Sequence, residues 1–294
     1  QAAEIGYLVV PWARGRGVAA AATRLVRDWG LDELGLERLE VHADIDDIGS
    51  QRVALSLGMR HEGILRGFLA ARGVRRDHVV LAMEAHDPRE RVVPLPEPRL
   101  SDGRIVVRPL EPDDAQAVAD ACQDPLIQQR CYFVPAPYTL DDARGFITEA
   151  RRDLVMHGGV HCAVCAGPGF ADTAAASGRT FAKGELLGAI NLVNHPEREA
   201  AETGYWVRSE ARGQGVAEAA LRLMADYAFG QVGVERLELM TETPNLASQR
   251  VAERVGFRRE GVARAYLASR GERDRDLVDP AHGRIDQVLF ALLR

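Results

Sequence analysis

Residues Glu4 to Arg75 align on Glu202 to Arg273 with one constant offset, no gap and about half of the positions identical. Both copies run Glu-x-Gly-Tyr, then Arg-Gly-x-Gly-Val-Ala (Arg14 to Ala19, Arg212 to Ala217), then Glu-Arg-Leu-Glu (Glu37 to Glu40, Glu235 to Glu238), then Ser-Gln-Arg-Val-Ala (Ser50 to Ala54, Ser248 to Ala252). Solenoid and propeller repeats run about 20 to 50 residues, so a unit this long reads as a duplicated domain. Whatever chemistry one copy is built for, the other was built for as well.

A chain of 294 residues has room for two ordinary domains. The proline-rich stretch Asp87 to Pro98 disfavours both helix and central strand. It is read as a linker (87–98) between a first domain (1–86) and a second (99–294). After it the pattern predicts a strand at 104–108, helices at 113–122 and 140–156, and strands at 160–166 and 186–193 joined by a mobile hairpin loop, 167–184. The repeated half then reads as strand (202–207), glycine turn, helix (215–229), strand (236–241), helix (246–255) and strand (257–266). A last strand, 287–293, matches 78–83 after an insertion of about ten residues, 276–286. The fold class expected is α+β, each domain a mixed, mostly antiparallel sheet flanked by helices. The first copy has only three residues ahead of Glu4 where the second has about a hundred after the linker. It is therefore expected to lack its opening strands and helices, with further residues of the protein upstream of Gln1, since a half-sheet exposes an unpaired edge.

A net charge of −6 argues against the basic footprint of a nucleic-acid binder. No apolar run approaches the roughly 20 residues of a membrane span, and a cytoplasmic location is the default. The four cysteines all lie outside the duplicated first copy. Cys162 and Cys165 have a C-x-x-C spacing, but on a strand residues three apart point to opposite faces. Structural thiols are expected, with no metal. His42, Asp44 and Asp46 alternate along a strand and are read as a solvated polar face.

The chemistry is carried by Arg-Gly-x-Gly-Val-Ala, set between a strand and a helix in both copies. Glycine lets the chain turn tightly and approach a ligand, and the helix start offers unpaired N–H groups at the positive end of its dipole. That is a cradle for a phosphate or diphosphate. It comprises Arg14, Gly15, Arg16, Gly17, Val18 and Ala19 in the first copy and Arg212, Gly213, Gln214, Gly215, Val216 and Ala217 in the second, with Arg14 and Arg212 expected at the rim. The sequence has no Walker-type loop, and Glu218 breaks the dinucleotide fingerprint.

These residues resemble the acetyl-CoA loop of the GNAT acyltransferases, [Q/R]-x-x-G-x-[G/A], met by Arg14, Gly17 and Ala19 and by Arg212, Gly215 and Ala217. The second copy looks most like the RimJ/RimL branch, which acetylates protein N-termini. Gly204-Tyr205-Trp206-Val207, Asn245-Leu246-Ala247-Ser248, Val255-Gly256-Phe257 and Glu260-Gly261 recur there in that order. The resemblance covers 103–293 well and 4–83 as a shortened copy.

The resemblance implies an enzyme that uses acetyl-CoA to acetylate a primary amine. It places Asn245 and Ser248 at a helix start beside the thioester, Ser248 as candidate acid and Glu202 as candidate base, directly or through water. Backbone N–H groups near Val207 would hold the acetyl carbonyl. Asp47 replaces Asn245 in the first copy, so the second is the expected catalyst. The acceptor expected first is a protein N-terminus. A small amine such as an aminoglycoside or polyamine stays open, as do non-catalytic binding of acyl-CoA and a homodimer.

Overall fold

Val216, Ala220, Leu223, Met224 and Tyr227 recur at three- and four-residue spacing, which gives a helix one apolar stripe and obliges it to lie on a sheet. In the computed structural model this is what Val216–Tyr227 does: Val216, Ala220, Met224 and Tyr227 are buried in the larger of two cores of the second unit. The structure describes residues 1–71, 73–89, 95–156, 158–171 and 179–294. They fall into two units, Gln1–Pro94 and Leu95–Arg294.

The second unit contains β5 (Leu100–Ser101), β6 (Ile105–Pro109), α3 (Ala115–Ala121), α4 (Pro125–Arg130), α5 (Leu140–Met156), β7 (Gly159–Ala166) and the short α6 (Pro168–Ala171). It continues through β8 (Leu186–His195), β9 (Ala200–Val207), α7 (Val216–Tyr227), β10 (Arg236–Glu242), α8 (Leu246–Val255), β11 (Arg258–Ala268), β12 (Val278–Asp279) and β13 (Arg284–Leu293). The sheet order is β11-β13-β10-β9-β8-β7-β6-β5, with β12 on β13. Every pairing is antiparallel except β9 with β10. Helices α7 and α8 cover one face, and α3, α4 and α5 pack on the other.

The first unit contains β1 (Ala2–Glu4), α1 (Val18–Asp28), β2 (Arg38–Asp44), α2 (Ile48–Ser56), β3 (Arg60–Ala71) and β4 (Val74–Glu84), with sheet order β1-β2-β4-β3. Helix α1, strand β2, helix α2 and strand β3 start at the positions that the sequence repeat assigns to α7, β10, α8 and β11. The one parallel pair, β1 with β2, matches β9 with β10. The fold is thus mixed α+β, as the sequence predicts.

Two expectations change, and one helix is added. Leu95 packs against the core of the second unit and the Pro96 carbonyl accepts a 2.6 Å hydrogen bond from the Tyr227 hydroxyl, so the end of the linker belongs to that unit. Of the expected hairpin loop 167–184, residues 172–178 lie outside the described residues, and its two ends are packed rather than mobile: Phe170 and Phe181 are buried with their rings 5.7 Å apart. Helix α4 was not read from the sequence, because six residues are too few to show a period.

Candidate active site

Strands β9 and β10 pair over only three residues, from Ala200↔Arg236 to Glu202↔Glu238, and then separate, although β9 continues to Val207 and β10 to Glu242. Successive N–H groups of an extended strand point to opposite edges. The Arg208 N–H is bonded to Leu187 of β8, so the N–H groups of Val207 and Tyr205 point into the gap, where no ladder partner follows. Glu202 stands on the last paired rung, exposed on the face away from α7. Desolvation holds its carboxyl above the usual range, against His195 and with Glu238.

At the end of β9 the chain enters the glycine loop. Gly213 and Gly215 both take left-handed φ, +76° and +75°, as do Gly15 and Gly17 of the first unit. Gly215 opens α7 with no side-chain cap. Among the described residues no hydrogen-bond acceptor meets the N–H groups of Gly213, Gln214 or Gly215, and the first-turn amides of Val216 and Ala217 are orphans of any helix start. The amides of this loop are therefore unbonded among the described residues. Arg212 does not reach outward: its Nε donates to the Val207 carbonyl at 3.0 Å and its Nη2 lies 2.6 Å from Asp124 of the α3–α4 turn. Arg14 makes the same bond to Val9, also at 3.0 Å. Each arginine bonds back to a carbonyl five residues earlier and braces the loop.

Across the gap, β10 alternates Leu237, Leu239 and Thr241 toward α7 and α8 with Glu238, Met240 and Glu242 toward the other face. A chain of polar groups crosses here. The Tyr205 hydroxyl lies 3.1 Å from Ser248 Oγ. The Ser248 N–H donates to Asn245 Oδ1 at 3.2 Å, which makes Asn245 the N-cap of α8. Asn245 Nδ2 reaches Glu242 Oε2 at 3.3 Å. Burial raises the Tyr205 phenol, so it keeps its proton. Burial also raises the Glu242 carboxyl, opposed by its hydrogen bonds and by Arg130. Ser248 and Asn245 are thus brought together as expected. The sequence pattern does not single out Tyr205 or Glu242 as part of this chain, although Tyr205 is in the repeated Gly-Tyr and Glu242 stands three residues before the cap.

The first unit has the same parts wired differently. Its Tyr7 hydroxyl donates to the Ser50 carbonyl at 2.6 Å, and the Ser50 hydroxyl donates to Asp47 Oδ2 at 2.7 Å. Asp44, at the place of Glu242, is clasped by Arg76 through two bonds of 2.8 and 3.0 Å. A carboxylate cap captures the serine proton that the amide cap of Asn245 leaves free.

The remaining candidates are structural. His42 is not on a solvated face: it is largely buried, 2.9 Å from Glu40, edge-on to Phe68, while Asp46 lies 2.7 Å from Arg76. Cys162 lies in the core beneath α7 and Cys165 in the core beneath α3 and α5, on opposite faces as expected. All four cysteines are free thiols, and burial pushes Cys162 up to about 12 and Cys165 to about 11. In the insertion, Asp279, His282 and Asp286 bring ligand atoms within 4.8 Å of one another. The Arg284 N–H donates to His282 Nδ1 at 3.3 Å, and His282 Nε2 lies 3.1 Å from Asp286. Among the described residues no helix is long and apolar enough to cross a membrane.

The family profile described as "Acetyltransferase (GNAT) domain" matches residues 1–60 and 104–258. YdaF of Bacillus subtilis, named as a ribosomal N-acetyltransferase, is 31% identical over 57% of this chain and 85% of its own length. YjcK of the same organism, named as an N-acetyltransferase, is 28% identical over 57% and 87%. Among solved structures, Mycobacterium smegmatis RimJ in complex with CoA-disulfide superposes with a TM-score of 0.51 at 22% identity, over 68% of this chain and 86% of that one, a likeness of fold. The family profile matches over most of the chain, and this protein is an acyltransferase that belongs to the GNAT acetyltransferase family.

Proposed function

We propose that the second unit transfers the acetyl group of acetyl-CoA to a primary amine, with a protein N-terminus as the acceptor. The observation that carries this is the polar chain Tyr205–Ser248–Asn245–Glu242 spanning the gap between β9 and β10 beside an unbonded run of amides at 213–217. The diphosphate of the coenzyme sits on those amides and its arm completes the broken ladder along β9. The acetyl carbonyl takes the N–H of Val207.

An amine is mostly ammonium near neutral pH and must lose a proton before it attacks. Glu202 takes that proton, directly or through water, and Glu242 is the further carboxylate that the strand gap offers. Attack forms the C–N bond, the tetrahedral centre collapses, and the C–S bond breaks. Ser248, with Tyr205 behind it, protonates the departing thiolate. Most of the rate enhancement comes from holding the two reactants in register.

The first unit is proposed as a second copy of the same domain, one that holds acyl-CoA without turnover. Capture of the Ser50 hydroxyl by Asp47 favours this second reading. Free-thiol release from acetyl-CoA, measured with short peptides and with alkylamines, tests the assignment. Tight binding of acetyl-CoA with no thiol release for any amine would reduce the whole protein to a binding role.

A further inference from the structure

Arg212, the arginine of the glycine loop, is spent inward on Val207 and Asp124, and the first turn of α7 adds an acidic side chain, Glu218. The neutral amides of 213–217 would then face an anionic diphosphate without a cation beside them. Arg104, just ahead of β6, supplies what the loop lacks. Its side chain is exposed, and its guanidinium carbon lies 5.6 Å from the centre of the buried Phe170 ring, a cation–π contact that helps set the direction of the arm. Nη2 donates to the Gln214 carbonyl at 3.2 Å. Nη1 lies 3.8 Å from the place that a Cβ on Gly215 would take. Among the described residues Nη1 meets no acceptor, and no carboxylate pairs with the guanidinium. At Gly17, the equivalent position of the first unit, no heavy atom lies within 4 Å of that point.

We infer that Arg104 is a ligand of the coenzyme's diphosphate in the second unit, adding from β6 the positive charge that the glycine loop itself does not present. This rests on the reading above that the diphosphate sits on the amides of 213–217. A guanidinium gives a phosphate both charge and parallel N–H donors, and such bonds are roughly twice as strong as neutral ones. The bond to Gln214 holds the arm beside the loop before the coenzyme arrives, so less side-chain freedom is lost on binding.

The test follows amide hydrogen exchange at 213–217 in the full chain while CoA is titrated, which reads this site alone. Arg104→Gln is expected to raise the CoA concentration for half protection about 10-fold, the lower end for loss of a hydrogen bond to a charged group. Arg104→Lys should recover part of the loss. Dephospho-CoA keeps the diphosphate and lacks the 3′-phosphate, so Arg104→Gln should lose as much with it as with CoA. A loss seen with CoA and absent with dephospho-CoA would assign Arg104 to the 3′-phosphate and overturn the inference. A structural brace on Gln214 is separated by salt. Removing a phosphate contact makes binding less sensitive to ionic strength, because a screened attraction has gone. A loss of affinity that leaves the salt dependence as in the parent would mean a brace only, and would overturn the inference, as would an unchanged half-point. If CoA protects none of 213–217 in the unmodified protein, the diphosphate reading itself fails and this assignment falls with it.

Discussion

Ser248 Oγ and the Tyr205 hydroxyl lie 3.1 Å apart in the second unit, whereas the equivalent Ser50 and Tyr7 side chains are each bonded elsewhere in the first. The difference traces to one cap residue, Asn245 against Asp47. Loss of a positioned acid costs roughly 10² to 10⁴ in rate. Ser248→Ala and Tyr205→Phe are therefore expected to lower kcat by about 10²-fold while the Kd for acetyl-CoA stays within a factor of two to three of the parent, about the scatter of a surface substitution. Isothermal titration alongside the thiol assay checks both halves.

Asp47→Asn in the first unit should release the Ser50 hydroxyl. If wiring alone silences that unit, adding Asp47→Asn to a chain already carrying Ser248→Ala restores measurable thiol release. If it restores none, a further part is missing there, with Asp44 held by Arg76 the first suspect.

Gly215 has φ +75°, and an L-residue there costs roughly 1–2 kcal/mol. A Cβ at that position would meet only Arg104 Nη1 at 3.8 Å, so crowding adds little. Gly215→Ala should leave the unit folded and weaken acetyl-CoA binding, as read by titration. Gly188→Ala is a different case, because its Cβ would fall 2.3 Å from the Trp206 carbonyl and 3.1 Å from Val207 Cα. The end of β9 would have to move, with a stability loss of about 1–3 kcal/mol or more by denaturant unfolding.

Glu242 supplies a pH test. Burial raises its carboxyl in the folded state, so the folded protein binds that proton more tightly than the unfolded chain does. Ionised Glu242 therefore costs stability, and the cost is relieved as pH falls through the folded value. Glu242→Gln should melt higher than the parent near neutral pH, with the difference closing in acid. Activity should move the other way, since the neutral amide carries no charge to pair with ammonium and cannot take its proton. A variant that melts lower at neutral pH would mean the contact with Arg130 outweighs the burial.

Much of the fold was legible because the repeat fixes element starts twice over and because α7 and β10 carry clean three-and-a-half and two-residue periods. The glycine loop was legible for a related reason: two copies of Gly-x-Gly before a helix constrain the backbone whatever the side chains do. The rest depends on contacts between segments distant in sequence. That Arg212 turns inward to Val207 and Asp124, that α4 brings Arg130 to Glu242, and that one oxygen more on Asp47 captures a serine are facts of packing, not of spacing. The 167–184 segment misled because its glycines and alanines mask the two buried phenylalanines that pin its ends.

The central claim is that the amides from Gly213 to Ala217 hold the coenzyme's diphosphate. Unbonded exposed amides exchange hydrogen quickly, and a bound phosphate slows them. Amide hydrogen exchange of this segment, measured with and without saturating CoA, should show strong protection at 213–217 on binding. Binding that leaves exchange across those five residues unchanged would place the coenzyme elsewhere and contradict the account.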